Sequence, residues 1–291
     1  MKARMDRSPY RTDRSLRGRV VVVSGASRGI GRDIAIRAGA DGANVALLAK
    51  TDTPNPKIAG TLAETASAVR SAGGQPLAIT CDVRDPDSVA GAVQEIVAAF
   101  GAVDVLVNNA GALDLRLTSA LPPKSFRRLL AVNVEGPYAL VHSALPHLRR
   151  SSNAHIVNVS PPLNLSPAWL SPHVAHTVGK YAESLLTLGW AAEFASIPIA
   201  VNSLWPETTV ASTGMMAAMG EDVVRSQARS TQIMADAAHA LVTRPAAEHT
   251  GQFLTDAEVL RAEGIEDLCA YRLAACDEDL TPNFYLAAAP L

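Results

Sequence analysis

Four consecutive valines, Val20 to Val23, run straight into a glycine-rich turn and then into a helical pattern. That arrangement narrows the possible folds more than any other feature. A strand that is apolar at every position must be covered on both faces, which is the condition of a strand inside a parallel sheet. The first such strand is expected over residues 19–24, with further β-branched runs at 44–49, 76–81, 104–107, 155–159, 199–204 and 252–254. Ala-rich helical patterns fall between them, at 29–41, 58–72, 86–100, 124–150, 173–195 and 232–243. Alternation at this spacing implies right-handed βαβ units and a doubly wound α/β sheet. No repeat or linker divides the chain, and 291 residues with 48% hydrophobic content suffice for one large core. A single domain is expected.

Composition removes several functions. A formal net charge of −2 and an aromatic content of 4% supply neither the basic footprint nor the stacking platforms of a nucleic-acid binder. No apolar run approaches the roughly 18 residues that a membrane span needs. Cys81, Cys269 and Cys276 are odd in number and lack metal-ligand spacing, so they read as reduced thiols in a cytoplasmic protein with no metal. The first fifteen residues mix Arg4, Arg7, Arg11 and Arg14 with Asp6 and Asp13. They read as a loose, solvated arm rather than a transit peptide, with the folded domain over residues 16–291.

The turn after the first strand is Gly25-Ala26-Ser27-Arg28-Gly29-Ile30-Gly31. Glycines there allow a tight turn and bring backbone N–H groups to a pyrophosphate, which the following helix N-terminus also favours. The spacing is GxxxGxG. An acidic residue ending the second strand would bind the free ribose 2′-hydroxyl of NAD, but that position is Lys50. Lys50 with Arg28 suits a 2′-phosphate, so NADP(H) is preferred over NAD(H). The competing reading is two ordinary surface cations. Loops at 160–172 and 206–213 follow predicted strands, where open α/β sheets bind their ligands.

Further motifs agree in order. Asp82 and Val83 close the third strand, Asn108-Asn109-Ala110-Gly111 follows the fourth, and Asn133 lies in the next helix. Together with the glycine turn these resemble the short-chain dehydrogenase/reductase family. Ala49-Lys50-Thr51, the stretch from Ile156 to Leu165, and Leu204-Trp205-Pro206 are similar to its hydroxysteroid dehydrogenase-like protein 2 group. The resemblance runs from about Leu16 to the C-terminus and leaves no length for the sterol-carrier domain that some members append. It implies a Rossmann-type, seven-stranded parallel sheet with a lid over residues 206–229. It also implies roles. Gly25, Ser27, Arg28, Gly29, Ile30, Gly31, Asn109, Ala110 and Gly111 would line the dinucleotide, and Asp82, beside Val83, would bind the adenine amine. Asn108 would stabilise the central strand and Asn133 would hold a relay water. Lys180 would bind the nicotinamide ribose, and Thr208 or Ser212, after Pro206, would touch the carboxamide.

One departure matters. The family's proton donor is a Tyr four residues before the Lys, and here that position is His176. Tyr181 follows Lys180 directly and so points off the face that carries it. Three readings of His176 are open: a slow acid/base, a vestige, or a bystander while His173 supplies the proton. Imidazole is shorter than phenol, and Lys180 disfavours its cationic form, so it is a poorer acid than base. Ser160 stands as the hydroxyl that polarises a substrate oxygen, against the plainer role of satisfying its own strand end, with Asn164 as a substitute. Leu163, Leu165, Trp169, Trp205, Met215, Met216 and Met219 suit an apolar substrate wall, or else plain core. Glu207 brings a charge near the nicotinamide end without an evident role. His142, His147, His155, His239 and His249 read as structural or exposed.

The sequence therefore supports an NADP(H)-dependent oxidoreductase for an apolar carbonyl/alcohol pair, with Ser160, His176, Lys180 and Asn133 as its catalytic group. The alternative is a cofactor-binding but silent homologue that senses or scaffolds. An adenosylmethionine-dependent transferase is disfavoured by Asn108 to Gly111 and Lys180. The long helices suit a homotetramer or homodimer.

Overall fold

Val20 and Val22 enter one buried layer while Val21 and Val23 enter another, and all four are at most 2% exposed. Burying each valine contributes about 1.5–3 kcal/mol, so a polar residue anywhere in this run would be costly. The structure, a computed structural model, describes residues 8–50, 52–53 and 59–286. Strand β1 (Val20–Ser24) pairs in parallel with β2 (Asn44–Ala49) on one side and β4 (Val105–Asn108) on the other. Val22 stands opposite Ala46 and Leu106. With β3 (Gln75–Thr80), β5 (Ala154–Asn158), β6 (Ile199–Trp205) and β7 (Phe253–Thr255) the sheet has seven parallel strands in the order β3-β2-β1-β4-β5-β6-β7. The order reverses between β1 and β4, which opens a crevice at their carboxyl ends. This is the doubly wound, single-domain architecture expected from the alternating pattern.

Helices cover both faces. Helices α1 (Gly29–Ala40) and α2 (Leu62–Ala72) lie on one side. Helix α3 (Pro86–Phe100) lies on the other. Helix α2 was expected from residue 58, which lies outside the described residues. It starts at Leu62 because Thr61 and Glu64 form a capping box that satisfies its first N–H groups.

The single helix expected over 124–150 is instead broken. It comprises α4 (Pro123–Leu130), one π-helical turn (Ala131–Glu135) and α5 (Gly136–Leu148). Pro137 lacks the N–H that a regular helix would use here. A Cβ on Gly136 would lie 3.0 Å from the Val83 side chain, so the helix passes close to the end of β3. The π turn leaves Asn133 fully buried.

Beyond β5 come the short α6 (Pro167–Leu170) and the long α7 (Val174–Glu193). The segment over residues 206–229 carries α8 (Thr213–Met219) and α9 (Glu221–Arg225) and is exposed over 217–223 but buried at both ends. It is followed by α10 (Gln232–Val242) and α11 (Asp256–Ala262). Single bridges tie Thr208 to Pro282, and Arg229 to Val210 and Arg272, so the C-terminal segment braces this region.

The N-terminal arm is a correction over residues 8–15. Tyr10 is 2% exposed, its ring edge-on to His239, and Arg14 pairs with Glu263. Ser8 donates to the Asp236 carboxylate at 2.6 Å. Asp236 is itself 1% exposed and receives Tyr271 as well, so a buried carboxylate explains why this stretch docks. Residues 1–7 of the expected arm lie outside the described residues. The three cysteines are free. Among the described residues no helix is long and apolar enough to cross a membrane, and no cluster of His, Cys, Asp or Glu is arranged to hold a metal.

Candidate active site

A cavity of about 510 Å³ opens at the carboxyl ends of β1 and β4. Its first wall is the glycine turn. Gly25 and Gly29 sit at φ +66° and +56°, the left-handed region that glycine enters without strain. Gly31 is required for closeness, since a Cβ there would fall 2.3 Å from Asn109 Nδ2 and 2.7 Å from the Gly25 carbonyl. The Asn109 amide donates to the carbonyls of Ser24 and Gly25, locking this turn to the end of β4. Gly25, Ser27, Arg28, Gly29 and Ile30 line the cavity. Gly31 does not, and acts by letting Asn109 approach.

Lys50, Asp82 and Val83 line one end with Arg84. The Asp82 carboxylate accepts from Arg84 at 2.5 and 2.9 Å and lies 3.6 Å from Lys50 Nζ. The Arg84 hydrogen bonds hold its carboxyl well below the usual carboxylate range. Lys50 is 61% exposed, placed for a ligand at the rim.

Ala110, Gly111 and Val159 lead to the other end, where His176 and Lys180 enter from α7 with Trp205 and Pro206 behind them. Lys180 Nζ donates to the Val159 carbonyl at 2.7 Å and to Glu183 Oε2 at 2.8 Å. His176 is 4% exposed, and its Nδ1 has no hydrogen-bond partner. Burial first, then the Lys180 cation, pushes its pKa down to about 3, so the imidazole is neutral. At neutral pH it has no extra proton to supply, and the same lowering weakens it as a base.

Several expected site residues sit elsewhere. Ser160 is fully buried outside the cavity, with its hydroxyl donated to Ser203 Oγ at 3.2 Å. Ser203 in turn bonds the Ser160 carbonyl, so the tight turn after β5 points this side chain at β6. The hydroxyl thus neither lines the cavity nor satisfies its own strand end, but ties this turn to β6. Asn164 bonds Ser166 and the Tyr285 carbonyl, and does not face the cavity. Asn133 engages the Ala112 backbone at both ends of its amide, at 2.7 and 3.1 Å, and so pins this loop. Asn108 donates to Asn158, which continues to Thr187. Ser212 lines the cavity while capping α8, whereas Thr208 is buried behind it with its hydroxyl unpartnered.

His173 lies against Phe284, off the cavity, and Tyr181 bonds the Asn164 backbone. Neither replaces the missing phenol. Of the seven residues expected as an apolar wall, only Trp205 and Met215 line the cavity. Trp169 packs on Phe284 and Tyr285, while Leu165 is exposed to solvent. Leu113, Val210 and Phe284 supply the rest of the wall. Glu207 is held by Arg229 and Arg261 at 3.1 and 2.8 Å, bracing the lid instead of approaching the ring site. Sequence reasoning missed Asn283 and Phe284, which reach the cavity from the far C-terminus, and Glu183, whose pairing with Lys180 was readable from its i+3 spacing.

Comparison with known proteins is consistent with this site. The family profile described as short chain dehydrogenase matches residues 19–224. The hydroxysteroid dehydrogenase-like protein 2 of Danio rerio is 43% identical over 275 residues, covering 94% of this chain but 65% of its own length. The chain thus spans just under two thirds of that curated relative. A putative dehydrogenase from Xanthomonas campestris is 44% identical, with a TM-score of 0.88, coverage being 94% of this chain and 99% of the other. A metagenomic short-chain oxidoreductase in complex with NADP is 27% identical at a TM-score of 0.69, over 82% of this chain and 97% of its own.

Proposed function

The chain belongs to the short-chain dehydrogenase/reductase family, and from that premise we propose that it is an NADP(H)-dependent oxidoreductase interconverting an apolar alcohol/carbonyl pair. The observation that carries this reading is one cavity joining the glycine turn and Lys50 to His176 and Lys180. The residues fit a nicotinamide dinucleotide. A Cβ on Gly111 would stand 3.7 Å from Lys180 Nζ and 3.8 Å from Asn133 Oδ1, occupying space between the turn and α7 that a ring or ribose needs.

Gly25, Ser27, Arg28, Gly29 and Ile30 would hold the pyrophosphate, and Lys50 with Arg28 would meet a 2′-phosphate. Asp82 and Val83 would face the adenine, Lys180 the second ribose, and Pro206 with Ser212 the carboxamide. When bound, the dinucleotide supplies two-electron transfer at its nicotinamide ring. The chain supplies the proton site. His176, which lines the cavity, would take the hydroxyl proton of an alcohol as its carbon is oxidised to a carbonyl, and return it in the reverse direction. Both directions pass through an imidazolium beside Lys180, which burial and that cation oppose. The wall of Leu113, Val210, Met215, Trp205 and Phe284 suits an apolar substrate. Val174, Val178, Leu185 and Leu188 form an exposed apolar stripe on α7 that suits pairing with a second copy.

A cofactor-binding but silent protein is the second reading, favoured by Ser160 facing Ser203 and by the lack of any phenol among the cavity-lining residues. The deciding experiment offers NADP⁺ with apolar alcohols, and NADPH with the matching carbonyls, to the native protein and to His176→Tyr. Alcohol oxidation by the native protein supports the proposal. Turnover by the Tyr variant alone transfers the conclusion to the silent reading.

A further inference from the structure

Behind Lys180 lies a carboxylate that the reaction described above does not use. Glu183 follows Lys180 by three residues on α7, so His176, Lys180 and Glu183 fall on one face at i, i+4 and i+7. The Glu183 side chain is 1% exposed. Its Oε2 accepts from Lys180 Nζ at 2.8 Å, and its Oε1 has no hydrogen-bond partner. A buried ion pair with an unsatisfied oxygen is poor value as a stabiliser, because an apolar side chain of that size serves as well or better. Its placement therefore points to the charge itself.

The surroundings contain little else to balance Lys180. Just past β5 the Val159 carbonyl contacts its ammonium, while the nearby Asn158 amide is neutral and joined to Thr187 and Asn108. From the π turn comes Asn133, also neutral and bound to Ala112. Asp114, on the loop after β4, acts on His176 but is itself paired with Arg116 and Arg128. His173, at the N-cap of α7, and His176 on it both have their pKa lowered, chiefly by burial. Glu183 is the acidic side chain in contact with Lys180.

We propose that Glu183 is a positioning residue that neutralises Lys180, so that the cavity floor tolerates the cationic ring of an oxidised nicotinamide dinucleotide and a proton on His176. The inference rests on the dinucleotide reading above and deepens it by assigning the redox state that the site favours. An unopposed ammonium at this buried spot repels both a pyridinium and an imidazolium. With its charge compensated, Lys180 keeps its hydrogen bonds and loses its repulsion. Burial raises the Glu183 carboxyl to about 7, with Lys180 only partly offsetting it, so the compensating charge is present above that pH, where the test is run.

The test measures the dissociation constants of NADP⁺ and NADPH by calorimetry for the native protein, for Glu183→Gln, and for the double variant Lys180→Met/Glu183→Met. No turnover is needed. Glu183→Gln keeps the shape and removes the charge. The ratio of NADP⁺ to NADPH dissociation constants should rise roughly tenfold in Glu183→Gln. In the double variant, which carries neither charge, the ratio should return to the native value. If Glu183→Gln does not fold, a native ratio in the double variant and a raised one in Glu183→Ser decide in its place. A ratio within twofold of native in the folded single variant overturns the role of Glu183 while leaving dinucleotide binding intact. Failure of the native protein to bind either form overturns the dinucleotide reading and this inference with it.

Discussion

The two ends of the cavity are built from different materials. At the glycine turn the contacts are main chain, and the polar groups that shape it are satisfied: Asn109 donates to Ser24 and Gly25, and Ser24 Oγ receives the N–H groups of Asn109 and Ala110. At the α7 end, ionisable side chains are buried together, and two polar atoms, His176 Nδ1 and Glu183 Oε1, lack partners. Backbone geometry restricts the residue at each position to one or two types. A side-chain constellation can be met by several combinations of residues. The glycine end is accordingly rigid in what it accepts, and the α7 end is where the chain departs from the pattern it resembles.

The largest expected effect comes from breaking the rigid end. Gly31→Val places a branched side chain where a single Cβ already falls 2.3 Å from Asn109 Nδ2 and 2.7 Å from a carbonyl that cannot move aside. NADPH affinity should fall roughly a hundredfold, equivalent to about 3 kcal/mol. Titration by NADPH fluorescence, with circular dichroism to confirm the fold, checks this. Affinity within threefold of native would show that the turn is more pliable than its contacts imply.

The α7 end gives a smaller effect with a definite sign in pH. His176 has its pKa pushed down to about 3, against an ordinary value of 6.5. Above pH 6.5 it is neutral in both folded and unfolded chains and contributes no pH dependence. As pH falls from 6.5 toward 3 the unfolded chain takes up a proton that the folded chain refuses, so stability declines. Between pH 7.5 and 4.5 this group should remove about 2.6 kcal/mol. His155 is also pushed down, to about 4, so the comparison must be native against His176→Phe by urea denaturation at both pH values. Parallel losses in the two proteins would mean that His176 is not desolvated as its burial indicates.

The same contrast explains what was legible in the sequence. The valine run, the strand–helix alternation and the glycine turn each express a local rule, and the sheet order and the turn's place at the cavity follow from them. The break at Asn133 was hidden, because a π turn has the composition of a helix and only Pro137 hinted at it. Tyr10 sits in an Arg-rich stretch whose composition suggested solvent, while its partner His239, and the Asp236 that holds Ser8, lie more than 200 residues away. Phe284 escaped notice for the same reason, since only the folded chain brings it to His173. Replacement of the phenol by His176 was visible at once. Its consequence depended on burial and on Lys180, which sequence does not measure.

Ser160 offers the smallest and sharpest test, because resemblance and geometry disagree there. A hydroxyl that polarises a substrate oxygen must face the cavity, and its loss should lower turnover by 100-fold or more, on the order of an oxyanion-type contact. The Ser160 hydroxyl instead donates to Ser203 within a fully buried turn. Ser160→Ala should therefore cost about 1 kcal/mol of stability, the net worth of one hydrogen bond, and leave NADPH affinity within about twofold of native. Any alcohol oxidation found in the native protein should persist at a similar rate. A tenfold fall in turnover at unchanged affinity would return the hydroxyl to the reaction, and would require the turn after β5 to rotate when substrate binds. An unchanged rate would leave His176 and Lys180 as the polar side chains of α7 that face the reacting atoms, making the charge on Lys180 the variable most worth controlling.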